Sequence, residues 1–411
     1  MKKVLHISTT YLKASETFIY SFVKNHNKYS PHVLTEDRIN QDLFPDGGEG
    51  ALNNIAVHEM RKLKPIDRVK NLLSKQVLIR NIASEKEYGK IIEEVKPDIM
   101  LAHFGQIGMY ATPLKEKYDI PLVTYFYGID LDYNKLNVEL GKSGSGKINL
   151  PKISKSNYWR DGYKRLWEKG DAFLTFSSKA RTHLISFLGA PEDKVFSIPG
   201  GVDLLRFNGK ERTLPKNGEI RLVTVNRLVE KKGVEYAIRA MPTVLEKYPK
   251  AQYDIMGKGP LIEELQKIID ALGIGKNVRL LGFTPNNIMD KKLEEAHIFV
   301  NPSIVSKDGD MEGWVNVTLM ESIAVGLPCV ATFESGSETV IPGYTGYICA
   351  ERDKKSVADN IIKLASDPKK YSEISINARL HAKENFSDKK QTKKLEAFFD
   401  KVLKTTPESF V

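Results

Sequence analysis

The sequence predicts an α/β protein made of two doubly wound, parallel-sheet domains. Three observations carry that reading. The 411 residues exceed the length at which one hydrophobic core stops growing, so two domains of roughly 200 residues are expected. Short runs rich in Val, Ile, Phe and Tyr alternate with stretches of helical period through both halves. Between the halves, NGKERTLPKNGE (208–219) replaces the periodic pattern with polar residues, Gly and Pro before a new strand begins at Ile220, as a domain boundary does.

Taken in order, the predicted strands of the first half are KKVLHIS (2–8), PHVLT (31–35), DIMLAHF (98–104), PLVTYFYG (121–128), AFLTFSS (172–178) and KVFSIPGGVD (194–203). Those of the second are IRLVTVNRL (220–228), AQYDIMGKG (251–259), NVRLLGF (277–283), AHIFVNPS (296–303), LPCVATF (327–333) and GYICA (346–350). Near-continuous apolar runs of this length suit strands buried on both faces. Between them, GVEYAIRAMPTVLEKY spaces its apolar residues three and four apart, and PLIEELQKIIDALG opens on Pro and stops at Gly, both helix signatures. Alternation of this kind implies parallel sheets covered by helices. Beyond residue 386, SDKKQTKKLEAFFDKVLK reads as an amphipathic helix with no strand after it.

Composition narrows the function. With 41% hydrophobic and 28% charged residues the chain reads as globular. No apolar run approaches the roughly 20 residues that cross a bilayer, and Met1-Lys2-Lys3 leads into a mixed strand, so a cytoplasmic protein is expected. Cys329 and Cys349 are the two cysteines. Both lie in apolar strand-like runs and offer neither a disulfide framework nor a zinc spacing. The net charge of +10 favours an anionic partner, whether nucleotide, phosphate, nucleic acid or anionic lipid, and charge alone does not choose among them. Basic residues concentrate in the first half, notably MRKLKPIDRVKNLLSKQVLIR (60–80), which reads as a solvated helical face or a helix lying on an anionic membrane surface. No nucleic-acid motif or aromatic stacking platform accompanies them.

GKSGSGK (141–147) is one residue short of a phosphate-binding P-loop, with Ile148 in place of Ser or Thr. A P-loop needs a strand before it and a helix at once after it. Neither flank provides that, so phosphate binding is expected elsewhere, at the carboxyl ends of the strands. After IRLVTV, the turn NRLVEKKG puts Arg227 and Lys232 beside a helix opening at Gly233, a favourable setting for a diphosphate. KDGDMEGWVNVTLMESIAVGLPCVAT (307–332) gives an acidic, glycine-containing loop leading into a helix around Asn316. Unsatisfied N–H groups at such a start can receive anionic oxygen, and Glu321 inside the helix can accept hydrogen bonds from a ribose diol. The eight histidines are scattered along the sequence, and no metal site is expected.

At this point the chain resembles glycosyltransferase family 4, retaining enzymes of the GT-B fold. RLVEKKG, MGKGPL (256–261), FVNPS (299–303), GDMEG with its following Glu, and GLPCVAT stand in that family's order. The front half is similar to the exopolysaccharide branch through SETFI (15–19), AHFG (102–105), YGIDL (127–131) and IPGGVDLLRF (198–207). The resemblance implies two Rossmann-like domains facing a central cleft: an acceptor domain over 1–207, a linker over 208–219, a nucleotide-sugar domain over 220–385, and a C-terminal helix over 386–411 crossing back to the first domain. It implies that Arg227 and Lys232 bind the donor pyrophosphate and Glu321 the ribose. Glu312 with Gly313, Trp314 and Asn316 would address the sugar, and Gly282 and Phe283 would lie near the base. Glu16, Thr17, His103, Tyr127 and Asp130 would line the acceptor side.

Two departures stand out. Glu312 and Glu321 are nine positions apart, where the family usually has eight, and Tyr127 stands where it commonly has His. The implied partners are a nucleoside-diphosphate sugar and a saccharide or lipid-linked saccharide, with no cofactor, no metal and no nucleic acid, at the inner face of a membrane. An epimerase or phosphorylase on the same fold, or a weakly active nucleotide-sugar-binding protein, remain open alternatives.

Overall fold

The computed structural model describes residues 1–13, 16–40, 55–60, 82–131, 155–310, 312 and 316–404. The chain divides into two compact units, Met1–Gly201 with Asp388–Val411, and Val202–Ser387. The fold is α/β, with one parallel sheet in each unit.

In the first unit the strands are β1 (Lys2–Tyr11), β2 (Tyr29–Arg38), β3 (Ala56–Glu59), β4 (Ile99–His103), β5 (Leu122–Phe126), β6 (Ala172–Thr175) and β7 (Val195–Ser197). They lie in the order β3-β2-β1-β4-β5-β6-β7, and every pairing is parallel. Strands β4 and β5 are buried at all five positions, as a strand covered by helices on both faces requires. Strand β3 was not foreseen: AVHE is short, half-buried and at the sheet edge, too brief to register as an apolar run.

The second unit repeats the plan with β8 (Arg221–Val225), β9 (Gln252–Met256), β10 (Val278–Gly282), β11 (Ile298–Asn301), β12 (Cys329–Thr332) and β13 (Gly346–Cys349). Their order is β10-β9-β8-β11-β12-β13, again all parallel. One continuous core joins Leu222, Ile255 and Val300 of the sheet to Ile238 and Met241 of helix Val234–Lys247 and Ile361 of helix Lys354–Ser366. Helix Val234–Lys247 runs through Pro242. The two cysteines are buried and unpaired.

In both sheets the strand order reverses beside the first strand, at β1/β4 and at β8/β11, where open α/β sheets place their ligands. The 208–219 stretch packs within the second unit. Arg212 donates to the carbonyls of Val325, Glu294 and Ala296, and a side chain at Gly209 would collide with the Val325 backbone.

The last helix, Asp388–Val402, belongs to the first unit. Asn25 donates to Asp388 (2.8 Å) and Tyr29 to Asp400 (2.8 Å). Glu396 Oε1 receives the backbone N–H groups of Asn27 (2.7 Å) and Lys28 (2.8 Å).

Candidate active site

At the carboxyl end of β8, Asn226 donates through Nδ2 to Asn301 Oδ1 at the end of β11 (2.9 Å), tying the two strands at the switch point. The chain then turns through Arg227 into Glu230–Lys232. Arg227 is exposed, and its guanidinium has no partner among the described residues. Gly233 follows at φ +58°, and a Cβ there would sit 2.0 Å from the Pro302 carbonyl, so only glycine lets this turn pass under β11. The neighbouring loop is held the same way: Gly257 has φ +141°, with the Asn226 carbonyl 1.7 Å from where its Cβ would lie.

That turn carries Lys232 inward. Its Nζ donates to both oxygens of Glu312, at 2.7 and 2.6 Å, and Ser303 Oγ donates to Glu312 Oε2 at 2.9 Å. Both partners of the pair are buried, at 7% exposure each. The Glu312 backbone N–H is held by Glu334 Oε1 (2.9 Å), and Lys231 reaches Asp310 Oδ1 (3.2 Å). Burial pushes the Glu312 carboxyl up, but the ammonium groups of Lys232 and then Lys231 outweigh it and hold the acid below its ordinary value. The result is a buried, paired charge on the lip of the switch point, with Lys231, Ser303 and Glu334 as members that the sequence reading missed.

Helix Val317–Ala324 starts beside β8, because Thr318 Oγ1 donates to the Val225 carbonyl (3.1 Å). Its first turn differs from the expectation of unsatisfied N–H groups. Asn316 Oδ1 already accepts from the backbone of Thr318 (3.1 Å) and Leu319 (3.4 Å), a side-chain N-cap. Asn316 Nδ2 is a further donor, buried without a partner among the described residues, as is Asn301 Nδ2. Buried amide donors of this kind call for an acceptor.

Glu321 is buried within the helix, and burial raises its pKa to about 7 against the pull of Arg206. Arg206, from the IPGGVDLLRF motif, is itself clamped on Asp290 by two bonds of 2.8 Å. Gly282 ends β10 at φ +67°. Phe283 beyond it is 60% exposed and lies under Lys258, whose Nζ is 5.5 Å from the ring centre. Gly313 and Trp314 lie outside the described residues, as do 141–147 and 61–80.

The first unit gathers a second group at its own switch point. Tyr127 follows β5, and its ring is wedged against Phe18 (4.3 Å), Tyr125 (4.5 Å) and Phe104 (5.0 Å). Its hydroxyl is 2.7 Å from His103 Nδ1. Phe104, a non-glycine residue, holds φ +77°, the kind of backbone strain that clusters at functional sites. Glu16 precedes helix Thr17–Lys24 and pairs with Lys13 at 2.6 Å. Thr17 opens that helix.

Two acceptor-side expectations change. Asp130 is fully buried, and its carboxylate receives the N–H groups of Gly105 (2.8 Å), Tyr127 (3.0 Å) and Gly128 (2.8 Å). It clamps the turn that presents Tyr127. His103 is fully buried, with both ring nitrogens engaged by Tyr127 and His6, so of the two Tyr127 is the partly buried group. Five of the eight histidines come together: His6, His26 and His103 form a line, and His32 faces His58 at 3.3 Å. Among the described residues, no three His, Cys, Asp or Glu side chains converge on a point.

Two Rossmann-like parallel sheets, each with its own switch point, define the class: a GT-B type glycosyltransferase fold. Solved structures agree on the fold. Anabaena HepE, in complex with UDP and glucose, superposes with a TM-score of 0.70 at 16% identity, over 97% of this chain and 100% of that one. The family models for glycosyl transferases group 1 and for glycosyltransferase family 4 match residues 206–381 and 43–206.

The chain therefore belongs to the family 4, group 1 glycosyltransferases. AmsK of Erwinia amylovora, an amylovoran biosynthesis glycosyltransferase, is 30% identical over 293 residues, 71% of this chain and 67% of AmsK. WcaL of Escherichia coli K12, named for colanic acid biosynthesis, is 30% identical over 69% of this chain and 65% of its own length. The match thus spans about two thirds of these relatives. Among the described residues, no helix is long and apolar enough to cross a membrane.

Proposed function

We propose that the protein is a retaining glycosyltransferase that moves a sugar from a nucleoside-diphosphate sugar to a saccharide hydroxyl in polysaccharide or glycoconjugate biosynthesis. The observation that carries this reading is the second unit's switch point, where exposed Arg227, buried Lys232 and buried Glu321 stand at the carboxyl side of β8 and β11. The names of AmsK and WcaL support the pathway class, and the UDP complex of HepE supports a nucleotide donor.

In this reading the diphosphate takes Arg227 and Lys232, the ribose diol donates to Glu321, and the base lies on Phe283. Gly282, Gly313, Trp314 and Asn316 complete the donor pocket, and Glu312 meets the sugar once Lys232 turns to phosphate. The acceptor oxygen bonds to the anomeric carbon as the bond to the β-phosphate oxygen breaks on the same face. The acceptor proton passes to that departing oxygen, so configuration is retained and no side-chain base is required.

Arg227 and Lys232 then act on charge growing at the leaving group. Such contacts are worth on the order of 3 kcal/mol of barrier, or about a hundredfold in rate. We propose that no divalent ion takes part. Glu16, Thr17 and Tyr127 would contact the acceptor, a lipid-linked saccharide, with the basic 60–80 segment drawing the chain to an anionic membrane surface at the cytoplasmic face.

A thermal-shift screen against UDP-, GDP-, ADP- and TDP-sugars tests the donor reading, since selective binding raises apparent stability. One class should stabilise the chain, and Arg227→Ala should abolish the shift. An unchanged shift removes Arg227 from the site. Free nucleoside diphosphate appearing with a new glycoside separates transfer from epimerisation, which leaves the amount of donor sugar nucleotide unchanged.

A further inference from the structure

A line of buried hydrogen bonds runs through the first unit from its last helix to Tyr127. Glu396 Oε1 lies 3.1 Å from His26 Nδ1, His26 Nε2 lies 3.0 Å from His6 Nε2, His6 Nδ1 lies 2.9 Å from His103 Nε2, and His103 Nδ1 lies 2.7 Å from the Tyr127 hydroxyl. The three segments that supply the histidines are far apart in sequence, and the carboxylate comes from the chain's last helix. His6 and His103 are fully buried, and the His26 side chain is too.

The chemistry of imidazole gives this line a direction. A neutral imidazole has one N–H donor and one lone-pair acceptor, so each contact dictates the next. Glu396 is the fixed end. Its Oε1 also accepts the backbone N–H groups of Asn27, Lys28 and Tyr29, and although burial pushes its pKa up, the His26 contact and these amides hold it lower than usual. A carboxylate only accepts, so a neutral His26 donates from Nδ1 and accepts at Nε2. His6 must then donate from Nε2 and accept at Nδ1, and His103 must donate from Nε2 and accept at Nδ1. The one group left to donate to His103 Nδ1 is the Tyr127 hydroxyl. Burial lowers His6 well below the usual imidazole value and takes His103 down to about 3, in keeping with neutral rings.

We propose that His103, His6, His26 and Glu396 are positioning residues that commit the Tyr127 proton inward, so that Tyr127 meets the acceptor saccharide with an oxygen lone pair and receives a hydrogen bond from a sugar hydroxyl. This rests on the glycosyltransferase reading for the identity of the substrate. The orientation of the proton rests on the hydrogen-bond geometry with the three rings neutral. Packing of the ring against Phe18, Tyr125 and Phe104 fixes where the oxygen sits, and the line fixes which way it presents itself. A sugar position bearing a hydroxyl is selected, and one that carries an ether or is deoxy at that point is disfavoured.

The test uses the full chain labelled with ¹⁵N-histidine, its ring signals read at pH 8 by long-range ¹H–¹⁵N correlation and assigned with single variants. His26 should carry its proton on Nδ1, and His6 and His103 on Nε2. A proton on His103 Nδ1 reverses the line, turns the Tyr127 hydrogen outward and overturns the proposal.

The kinetic arm follows sugar incorporation from UDP-[¹⁴C]glucose, or from the GDP-, ADP- or TDP-sugar that stabilises the chain, into a solvent extract of bacterial membranes. His26→Phe, which keeps the stacking against Phe399, should mix the His103 tautomers and raise KM for the extract about tenfold, the worth of one oriented hydrogen bond. The thermal shift given by the nucleotide should stay unchanged. Glu396→Gln, which retains the accepting Oε1, should by itself keep both wild-type values. An unaltered KM in His26→Phe, or a thermal shift lost along with it, counts against the positioning role. If the wild-type chain incorporates no sugar at all, the glycosyltransferase reading fails while the ring spectrum still decides the orientation of Tyr127.

Discussion

Replacing Lys232 by Met leaves Glu312 buried with its ammonium partner gone. The structure sets the size of the effect: both side chains are at 9% exposure, both carboxylate oxygens lie within 2.7 Å of Nζ, and Ser303 is the other side-chain donor to that carboxylate among the described residues. Breaking one side of such a buried pair costs about 3–5 kcal/mol. The second unit spans Val202–Ser387, and a domain of that size loses roughly 2–4 °C of Tm per kcal/mol. The expected fall for Lys232→Met is therefore about 10 °C. In the double variant Lys232→Met, Glu312→Gln the charge is removed from both sides, and neutral replacement of a buried pair is close to cost-free. Most of the Tm should return, while nucleotide binding stays lost. Calorimetric melts of the wild type, both single variants and the double variant give the coupling directly. A Tm within about 2 °C of wild type for Lys232→Met, or a double variant no more stable than the single, would refute the reasoning.

Glu321 ties pH to nucleotide binding. With its pKa raised by burial to about 7, its contribution to folding is present below the ordinary carboxylate range and lost as pH rises through about 7; Glu321→Gln should accordingly stabilise the chain at pH 8 and not at pH 4. A ribose diol donates to the ionised form, so calorimetric affinity for UDP or the preferred nucleotide should rise from pH 6 to pH 8 and lose that rise in Glu321→Gln. Gly233→Ala places a Cβ 2.0 Å from the Pro302 carbonyl at φ +58°, so it should lower Tm by several degrees, the cost of at least about 1–3 kcal/mol of strain, and weaken the nucleotide thermal shift by moving Lys232. Treatment with EDTA followed by gel filtration should leave the transfer rate unchanged; a rate restored only by Mg²⁺ or Mn²⁺ would contradict metal-independent transfer.

The parallel sheets were legible because their strands are continuous apolar runs separated by helices, a pattern carried by local residues alone. Strand β3 was not, since four edge residues, three half-buried and one exposed, carry too little apolar signal. Within the second unit, Arg227, Lys232 and Glu321 were singled out from their positions after a strand or inside a helix. Ser303, Lys231 and Glu334 were missed because their roles depend on which loops fold together. Asp130 looked like a substrate ligand in YGIDL, yet the turn folds its carboxylate back onto three backbone amides. The histidine line was invisible for the same reason. A lone His in the apolar strand KKVLHIS reads as a buried polar residue, and nothing in the sequence announces that β1, β4, the segment after helix Thr17–Lys24 and the final helix bring four such groups into register.

The most direct measurement is a crystal structure of the protein with the sugar nucleotide that stabilises it. The account predicts the diphosphate against Arg227 and Lys232, the Lys232–Glu312 pair opened, and the ribose on Glu321. Nucleotide density on residues 141–147, or a diphosphate bound with Arg227 and Lys232 uninvolved, would contradict it.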